Sequence, residues 1–472
     1  MAANYDLVII GAGPGGYTAA LKATGFGMKV AVIDKDRLGG VCVNRGCIPT
    51  KALLYASSIF ETMQKCDEFG VYTDFISFDY KKMQDYKKRS VRQYRGEIEK
   101  LFEKNGVDFI KGTATIRRNK TVEVVHDGGR DFLQAEHVII ATGASPMTPD
   151  IPGIDLPGVI NSDRLLSAQT WNYDRVVIMG GGVIGVEFAT IFQALCSKVV
   201  IVEKGPHLLG PMDEEVGLAL ERKLKKKGIS VYCNSTVEEI RDEDGLTCLV
   251  KHADGSETTV LKATQVLTAV GRAPHLDGLI GEDVNLDMEE DGHLKINGDF
   301  QTSEPGVYAI GDVVARTQLA HVAMAQATYV VENIAGRPHS IRLEAVPNGM
   351  FVSLPIVPSC IYTNPEIATV GLTAQSANAL GLKVRCGVYA MEENGKSIIS
   401  REEDGFIRLV FEAYSNTIVG AQMVCPRATD MIGEMATAIA NGLTAQQLSV
   451  AMRAHPTYSE GIKEAIEDAM KF

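Results

Sequence analysis

Short apolar runs that end in glycine-rich turns recur along the chain, and one of them opens it. The run Asp6–Ile10 predicts a buried strand; the turn GAGPGG, a helical stretch and a second apolar run that ends on Asp34 follow it. A strand, glycine turn, helix and strand closed by an acid is typical of a dinucleotide-binding unit. In such a unit Gly11 permits the tight turn, Gly13 lets a pyrophosphate approach the backbone, and Gly16 allows close packing of the helix.

The same pattern returns in the middle of the chain. The run Arg175–Met179 predicts a strand, and a later apolar run ends on Glu203. The glycines between them are Gly180, Gly182 and Gly185. Two such units predict two bound dinucleotides, or one bound and one vestigial; glycine turns used only for packing are the alternative. Because a carboxylate after the second strand hydrogen-bonds a ribose and repels a 2′-phosphate, we expect NAD rather than NADP in the second unit.

Three later apolar strands each run into a glycine and are predicted to return the chain to a dinucleotide site. They are His137–Pro146 with Thr142 and Gly143, Val266–His275 with Gly271, and Gly306–Val314 with Asp312. The charged stretch Tyr80–Gly106 has apolar residues at helical spacing and predicts a solvated helix. From about Arg342 onward, short strand and helix patterns alternate without a glycine fingerprint, which predicts a separate α+β domain.

Length and charge limit the class of protein. A chain of 472 residues is too long for a single core and predicts several domains. The net charge of −12 argues against a nucleic-acid partner, which would need a basic footprint. No apolar run approaches the ~20 residues that cross a bilayer, so no membrane partner is expected. The first residues enter a strand without a basic or amphipathic leader, so we expect a cytoplasmic protein, or an organellar matrix protein whose leader is missing.

Two of the nine cysteines, Cys42 and Cys47, lie close together in the stretch GGVCVNRGCIPTK. The pair could be a structural disulfide, half of a metal site or a working redox couple. Zinc would need four Cys or His at short spacings, and the histidine nearest to Cys47 is His126, so no metal is predicted. Lys51 follows Cys47 by four residues and faces the same side of a helix, where an ammonium would stabilise a thiolate.

Taken together, these motifs resemble the pyridine nucleotide-disulfide oxidoreductases of class I, over essentially the whole chain. The resemblance rests on GAGPGG, GGVCVNRGCIPTK, ATGAS, GGGVIGVE, AIGD and HPTYSE. It implies an α/β fold with two Rossmann-like dinucleotide-binding domains, for FAD and NAD, and a C-terminal α+β dimerisation domain. The implied domains are an FAD-binding domain (1–147), an NAD-binding domain (148–273), a central domain that completes the FAD site (274–344) and an interface domain (345–472).

By this resemblance Cys42 and Cys47 form a redox-active disulfide. Cys42 would be the interchange thiol that attacks the substrate disulfide, and Cys47 the flavin-side thiol that donates electrons. A flavin is needed because thiolates do not pass hydride directly to a nicotinamide. Lys51 would lie beside the flavin, and the resemblance implies Glu187 as the anion that balances its buried charge.

The stretch RAHPTYSE supplies a candidate base. A dithiol must lose protons, and His455, oriented by Glu460, can accept them. In the resembled family this base comes from the other subunit, which implies a homodimer. Two departures from the family pattern fall in the same domain: Arg453 stands where a histidine is frequent, and the segment 342–366 looks longer than usual. Both concern the substrate channel or the dimer contact rather than the chemistry.

The resemblance also implies contacts to the two cofactors that are spread over the chain. They are Gly11, Gly13, Gly15, Gly16, Asp34, Gly40, Lys51, Ala114, Thr142, Gly143, Gly180, Gly182, Ile184, Gly185, Glu203, Val237, Gly271, Asp312, Leu319, Ala320 and His321.

Within the family, the motifs are most similar to the enzymes that oxidise protein-bound dihydrolipoyl groups to the disulfide and reduce NAD. This implies lipoyl-bearing protein domains as partners, in 2-oxoacid dehydrogenase complexes or the glycine cleavage system. Glu203 argues against a glutathione disulfide reductase, and the C-terminal stretch EAIEDAMKF lacks the cysteine pair usual in a mercuric reductase. A flavin- and NAD-binding protein without thiol turnover is the alternative from another class.

Overall fold

The structure, a computed structural model, describes residues 3–314, 317–341, 344–345, 352–353 and 356–471. The predicted long segment 342–366 lies partly outside the described residues.

The first glycine-turn unit forms the middle of a largely parallel sheet and is followed by a long helix. The predicted helix from Tyr80 ends at Asn105, where Gly106 takes a left-handed conformation with φ of 65°. The elements of this part are β1 (Ala3–Ile10), α1 (Pro14–Gly25), β2 (Val30–Asp34), α2 (Gly40–Arg45), α3 (Cys47–Met63), α4 (Tyr80–Asn105), β3 (Asp108–Lys111), β4 (Thr113–Arg117), β5 (Thr121–His126), β6 (Gly129–Ile140) and β7 (Ala144–Pro146).

The second glycine-turn unit builds its own sheet. Its central strand β9 spans the predicted residues Arg175–Met179. The elements of this part are β8 (Val159–Asn161), α5 (Ser162–Ser167), β9 (Arg175–Met179), α6 (Val183–Ala194), β10 (Lys198–Val202), α7 (Glu214–Lys226), β11 (Ser230–Tyr232), β12 (Ser235–Asp242), β13 (Leu246–His252), β14 (Thr259–Ala263), β15 (Gln265–Thr268) and β16 (Arg272–Pro274).

The last part of the chain returns once to the first sheet and then forms an antiparallel sheet. Its elements are β17 (Val307–Ala309), α8 (Ala320–Ile334), β18 (Glu344–Ala345), β19 (Val352–Ser353), β20 (Ser359–Ile361), β21 (Ile367–Gly371), α9 (Ala374–Ala379), β22 (Val384–Ala390), α10 (Gly395–Ser400), β23 (Phe406–Glu412), β24 (Ile418–Val424), α11 (Ala428–Ala440), α12 (Ala445–Ser449) and α13 (Glu460–Met470). Short 3₁₀ helices span Cys66–Phe69, Arg118–Lys120, Gly311–Val313 and Met391–Glu393.

The first sheet has the strand order β3-β2-β1-β6-β5-β4, and β17 pairs with β6. Strand β1 runs parallel to β2 and β6, so that Leu7 lies beside Val30 on one side and His137 on the other. Leu7, Val8 and Ile9 are fully buried because apolar layers cover both faces of this sheet. A central parallel strand is therefore continuously apolar, as the run from Asp6 predicts.

The second sheet is parallel, with the order β11-β10-β9-β15-β8, and an antiparallel sheet β12-β13-β14 lies beside it. Strands β7 and β16 pair with each other and join the two glycine-turn units. The C-terminal domain, residues 356–471, is built on the antiparallel sheet β20-β21-β24-β23-β22. The predicted fold class, two Rossmann-like units with a C-terminal α+β domain, is confirmed. None of the described helices is long and apolar enough to cross a membrane.

The C-terminal sheet packs against α13 at one point without space for a side chain. A Cβ atom on Gly387 of β22 would lie 1.8 Å from the carbonyl oxygen of Ala465 in α13. We therefore expect Gly387→Ala to separate the sheet from the helix and to cost roughly 1–3 kcal/mol of stability, the usual range for overpacking. Thermal unfolding followed by circular dichroism would measure the loss. Gly395→Ala is the matched control, because no atom lies within 4 Å of its added Cβ; equal melting temperatures for the two variants would contradict the expectation.

Candidate active site

A cavity of about 1220 Å³ lies where the two glycine-turn units meet the C-terminal domain. Most of the predicted catalytic and cofactor residues line it, although they come from all three parts of the chain. They are Gly11, Gly13, Gly15, Asp34, Gly40, Cys42, Cys47, Lys51, Ala114, Thr142, Gly143, Gly182, Ile184, Glu187, Gly271, Asp312, Leu319, Ala320 and His321. The predicted residues that do not line it are Gly16, Gly180, Gly185, Glu203, Val237, His455 and Glu460.

Two glycines of the first turn, Gly11 and Gly16, leave no space for a side chain. Gly11 has a φ of 105°, and a Cβ atom there would lie 2.2 Å from the carbonyl oxygen of Ala141. A Cβ on Gly16 would lie 1.9 Å from the carbonyl oxygen of Gly11, so Gly16 supports the turn from behind. The backbone N–H of Ala12 donates to Oδ2 of Asp34 at 2.8 Å, which holds this carboxylate at the mouth of the turn.

The second turn repeats this construction. Glu203 accepts hydrogen bonds from the backbone N–H groups of Gly181, at 2.5 Å, and Gly205, at 2.6 Å. Gly185 packs against Gly180 as Gly16 packs against Gly11. A Cβ atom added to Gly185 would lie 2.0 Å from the carbonyl oxygen of Gly180. These residues shape the turn without lining the cavity.

Val237 is different, because it is 6% exposed within β12 and packs in the core of the second unit. Its predicted role as a cofactor contact gains no support from this position. It stays a prediction, since no ligand is described.

The segment that carries the cysteines packs directly on the first glycine turn. A Cβ atom on Gly40 would lie 2.5 Å from the Cα of Gly13. Helix α2 ends at Arg45, Gly46 leaves helical geometry with φ of −139° and ψ of −110°, and α3 begins at Cys47. The two cysteines are thus presented by two helices with a break between them.

Both cysteines are free thiols, and they interact. A hydrogen bond from Cys42 is the largest effect on Cys47; together with the ammonium of Lys51, and against desolvation, it lowers the pKa of the Cys47 thiol to about 7. The same hydrogen bond, followed by burial, raises the pKa of the Cys42 thiol far above its ordinary value. As the pH rises through about 7, the pair therefore loses one proton and shares the other, with the negative charge on Cys47.

Lys51 is held by a buried carboxylate from the second unit. Its Nζ atom lies 2.8 Å and 2.7 Å from the two carboxylate oxygens of Glu187, whose side chain is 4% exposed. The backbone N–H of Tyr362 donates to the same carboxylate at 3.1 Å, and the Tyr362 ring lies 4.6 Å from Lys51 Nζ. The structure thus brings together the lysine and glutamate that the resemblance pairs, and it adds Tyr362 from the C-terminal domain.

His455 and Glu460 lie away from this cavity. Nδ1 of His455 is 2.9 Å from Oε1 of Glu460, and the other carboxylate oxygen accepts the backbone N–H of Thr457 at 2.8 Å. These two contacts, the backbone one first, lower the pKa of the Glu460 carboxyl, so Glu460 is an anion that orients the ring. The His455 side chain is 78% exposed, and Arg453 forms an ion pair with Glu434. An exposed imidazole held in one orientation is suited to meet a surface outside this chain.

Several lining residues were not among the predicted ones. Arg45, Arg272, Cys360 and Tyr362 line the cavity. Burial raises the pKa of the Cys360 thiol to about 11, so it is protonated near neutral pH. Only the folding of the C-terminal domain against the first unit could reveal Cys360 and Tyr362, whereas Arg45 was visible as a lone charge between the two cysteines.

The residues present fit a bound flavin dinucleotide. The hydroxyl oxygen of Thr142 is buried and lacks a hydrogen-bond partner among the described residues, at the edge of the cavity. The first turn presents Cβ-free backbone as a pyrophosphate cradle. Gly311, next to Asp312, is held by a 2.6 Å hydrogen bond from its N–H to the side chain of the buried Gln326. A cavity of about 1220 Å³ with an unpartnered hydroxyl and a glycine turn in its lining has the size and the groups that a dinucleotide requires.

A thiol pair in a dinucleotide-sized cavity, between two Rossmann-like units, defines a disulfide oxidoreductase that works through a flavin. Residues 5–327 match the family model described as pyridine nucleotide-disulphide oxidoreductase, and residues 357–466 match the dimerisation domain of that family. The chain belongs to the pyridine nucleotide-disulphide oxidoreductase family. FAD and a pyridine nucleotide are typical of this family, and the dimerisation domain suggests a homodimer.

Similar proteins cover the chain almost completely. The dihydrolipoyl dehydrogenase of Geobacillus stearothermophilus is 34% identical over 98% of this chain and 96% of its own length. That of Chlorobaculum tepidum is 36% identical over 100% and 98%. Among solved structures, the copper(II) complex of the HOCl-induced flavoprotein disulfide reductase RclA from Escherichia coli has a TM-score of 0.84 at 25% identity, with coverage of 98% and 99%. LpdA from Mycobacterium tuberculosis shares the fold, with a TM-score of 0.87 at 24% identity and the same coverage.

The shared proton between the two thiols leads to a testable expectation. Cys42→Ala removes the hydrogen-bond donor, so the pKa of Cys47 should rise from about 7 toward its ordinary value near 9. Cys42→Ser keeps a donor and should hold the pKa of Cys47 closer to that of the unmodified protein. The pH dependence of Cys47 alkylation by iodoacetamide, followed by mass spectrometry in the reduced protein, gives each midpoint. Equal midpoints in the Ala and Ser variants would contradict the hydrogen bond as the cause.

Proposed function

We propose that this protein is a dihydrolipoamide dehydrogenase, which oxidises protein-bound dihydrolipoyl groups to the lipoyl disulfide and reduces NAD to NADH. The arrangement that carries the proposal is the Cys42–Cys47 pair beside the Lys51–Glu187 ion pair. Full-length relatives at 34% and 36% identity that are named dihydrolipoyl dehydrogenase support it. Lipoyl-bearing domains, of 2-oxoacid dehydrogenase complexes or of the glycine cleavage system, are the proposed partners.

The dihydrolipoyl group would be oxidised through two successive thiol–disulfide exchanges. In the first, one dihydrolipoyl thiolate attacks Cys42 Sγ of the Cys42–Cys47 disulfide, a mixed disulfide forms, and Cys47 leaves as a thiolate. In the second, the remaining lipoyl thiolate attacks the lipoyl sulfur of the mixed disulfide, the lipoyl ring closes, and Cys42 is released. The protein disulfide has then gained two electrons and the substrate has lost two. A thiol whose pKa is lowered to about 7 is the better leaving group, which supports Cys47 in that role.

Bound FAD would supply the two-electron chemistry that joins a dithiol to NAD. The residues proposed to hold it are the first glycine turn with Asp34, Thr142 and Asp312. Lys51 would place a positive charge beside the flavin, which gains negative charge when it is reduced. Glu187 keeps that charge fixed, and its own buried carboxylate would be costly without a cation beside it. Glu203 would accept the ribose hydroxyls of NAD from the second unit.

His455 is proposed to take the protons of the dihydrolipoyl group in the partner subunit. Its exposed ring is oriented by Glu460, which is itself fixed by the backbone N–H of Thr457. A base whose ring is held at one nitrogen presents the other nitrogen to substrate. The matched dimerisation domain, which contains His455, supports an active site shared between two copies.

The substrate assignment is tested by turnover. The pure protein, incubated with dihydrolipoamide and NAD, should produce NADH, and Cys42→Ser should abolish this while the flavin spectrum is retained. Loss of the flavin in that variant would instead make the cysteine pair structural. Turnover of glutathione disulfide with NADPH, or of mercuric ion, in place of dihydrolipoamide would overturn the proposal in favour of another member of the family.

The shared active site is tested with hybrid dimers. Differently tagged Cys42→Ser and His455→Gln chains are co-expressed, and the dimer that carries both tags is purified. If each site takes its cysteines from one chain and its base from the other, one site of the hybrid carries both defects and the second is intact. The hybrid should then have about half of the unmodified activity, as expected for a two-fold symmetric dimer. A hybrid as inactive as the two parents would place the base in the same chain.

A further inference from the structure

Arg45 is the one charged side chain in the connector between the two active-site cysteines, residues 43–46. It is the last residue of α2 and it lines the cavity. Its Nη1 atom donates to Oδ2 of Asp36 at 2.7 Å, and its Nε atom lies 3.3 Å from Oδ2 of Asp163. A single guanidinium thus spans two carboxylates, which its planar fork of donors permits and a lysine ammonium would do less well.

Asp36 links the connector to the first glycine turn through hydrogen bonds. The backbone N–H of Asp36 donates to Oδ1 of Asp34 at 2.8 Å, and Oδ2 of Asp34 accepts the N–H of Ala12 at 2.8 Å. A continuous set of hydrogen bonds therefore runs from Arg45 to the backbone that cradles the dinucleotide.

Asp163 ties the connector to the second unit. It lies in the first turn of α5, directly after β8, and β8 pairs with β15 of the second sheet. Two buried atoms of this contact, Nε of Arg45 and Oδ1 of Asp163, have no hydrogen-bond partner among the described residues. At 3.3 Å this ion pair is looser than the one with Asp36, which is 2.7 Å long.

Asn44 fixes the same connector from within. Its Nδ2 group donates to the carbonyl oxygens of Leu38 and Gly40, both at 2.9 Å, and its Oδ1 accepts from Arg95 at 3.2 Å. Asn44 therefore holds the connector to the first unit only, whereas Arg45 reaches both units.

We propose that Arg45 is a positioning residue that holds the connector in place, so that Cys42 and Cys47 stay within closing distance after their disulfide has opened. It would act through the cysteines and would not touch the substrate. When two thiols are held together, their effective concentration is high and their disulfide is correspondingly stable. Loosening the connector should make the disulfide easier to reduce. The inference rests on the proposed redox cycle of Cys42 and Cys47, and not on the identity of the substrate.

The size of the effect follows from the exposure of the partners. The side chains of Arg45, Asp36 and Asp163 are 38%, 41% and 28% exposed, so solvent weakens each ion pair. We expect Arg45→Met to lower the equilibrium constant for disulfide formation about fivefold, the upper end for partly exposed ion pairs. For a two-electron couple, this fold-change is a rise in reduction potential of roughly 20 mV.

The experiment uses the FAD-loaded protein, equilibrated without oxygen in dithiothreitol redox buffers. Forming the protein disulfide removes two electrons from Cys42 and Cys47, with the protons that the two sulfurs hold at the working pH, and reduces oxidised dithiothreitol to its dithiol. The oxidised fraction is read by alkylation and mass spectrometry of the peptides that carry the two cysteines. Arg45→Lys should recover part of the effect, and Asp163→Asn should shift the equilibrium in the same direction as Arg45→Met. Arg37→Met, which removes an exposed guanidinium from the nearby loop, is the control and should leave the equilibrium unchanged.

The outcomes separate the possibilities. The inference is supported if Arg45→Met and Asp163→Asn both lower the equilibrium constant for disulfide formation at unchanged flavin content. Arg37→Met should leave that constant unchanged. An unchanged disulfide equilibrium in Arg45→Met overturns it. So does a variant that loses FAD while its FAD-loaded fraction keeps the unmodified disulfide equilibrium, because Arg45 would then only support the cofactor. If Arg45→Met does not fold, an unchanged equilibrium in both Arg45→Lys and Asp163→Asn overturns it. Failure of the dihydrolipoamide assay with an intact shift would reject the proposed substrate and leave this inference standing.

Discussion

The ion pair between Lys51 and the buried Glu187 is the contact on which the arrangement of the three parts depends. Lys51 belongs to the helix that begins at Cys47, Glu187 to the helix after the second glycine turn, and Tyr362 closes the pair from the C-terminal domain. A carboxylate that is 4% exposed requires a counter-charge. Separating the units would leave this charge unpaired, so the pair favours the assembled cavity.

Further ion pairs lie at the contacts between the parts, away from the cavity. Lys227 in the second unit contacts the buried Glu61 of α3 at 2.7 Å. Lys223 and Lys226 in the same region reach Asp404 of the C-terminal domain. Apolar packing is non-directional, whereas these pairs have a defined geometry. They therefore help to set the orientation in which the second unit faces the cysteine segment.

The elements of both dinucleotide units could be predicted from the sequence because their signals are local. Asp34 and Glu203 follow their strands, and each accepts a backbone N–H of its own glycine turn. The break at Gly46 was not predicted, since the distance along the chain from Cys42 to Cys47 does not show whether one helix or two present them. Tyr362 was missed for another reason: it reaches the cavity only because the C-terminal sheet docks there.

The sequence by itself determined the folds of the units and the identity of the thiol pair, because periodicity, glycine spacing and cysteine spacing act over short stretches of chain. Only the tertiary structure decided which charges meet the pair. Asp163 lies far along the chain from Arg45, and nothing in its own surroundings marks it as a partner. Glu187 was matched to Lys51 only through the resemblance of its motif, and the contact itself comes from the fold. Packing of two sheets against one segment brings them together, and the cost of leaving buried charge unpaired explains why they come as opposite charges.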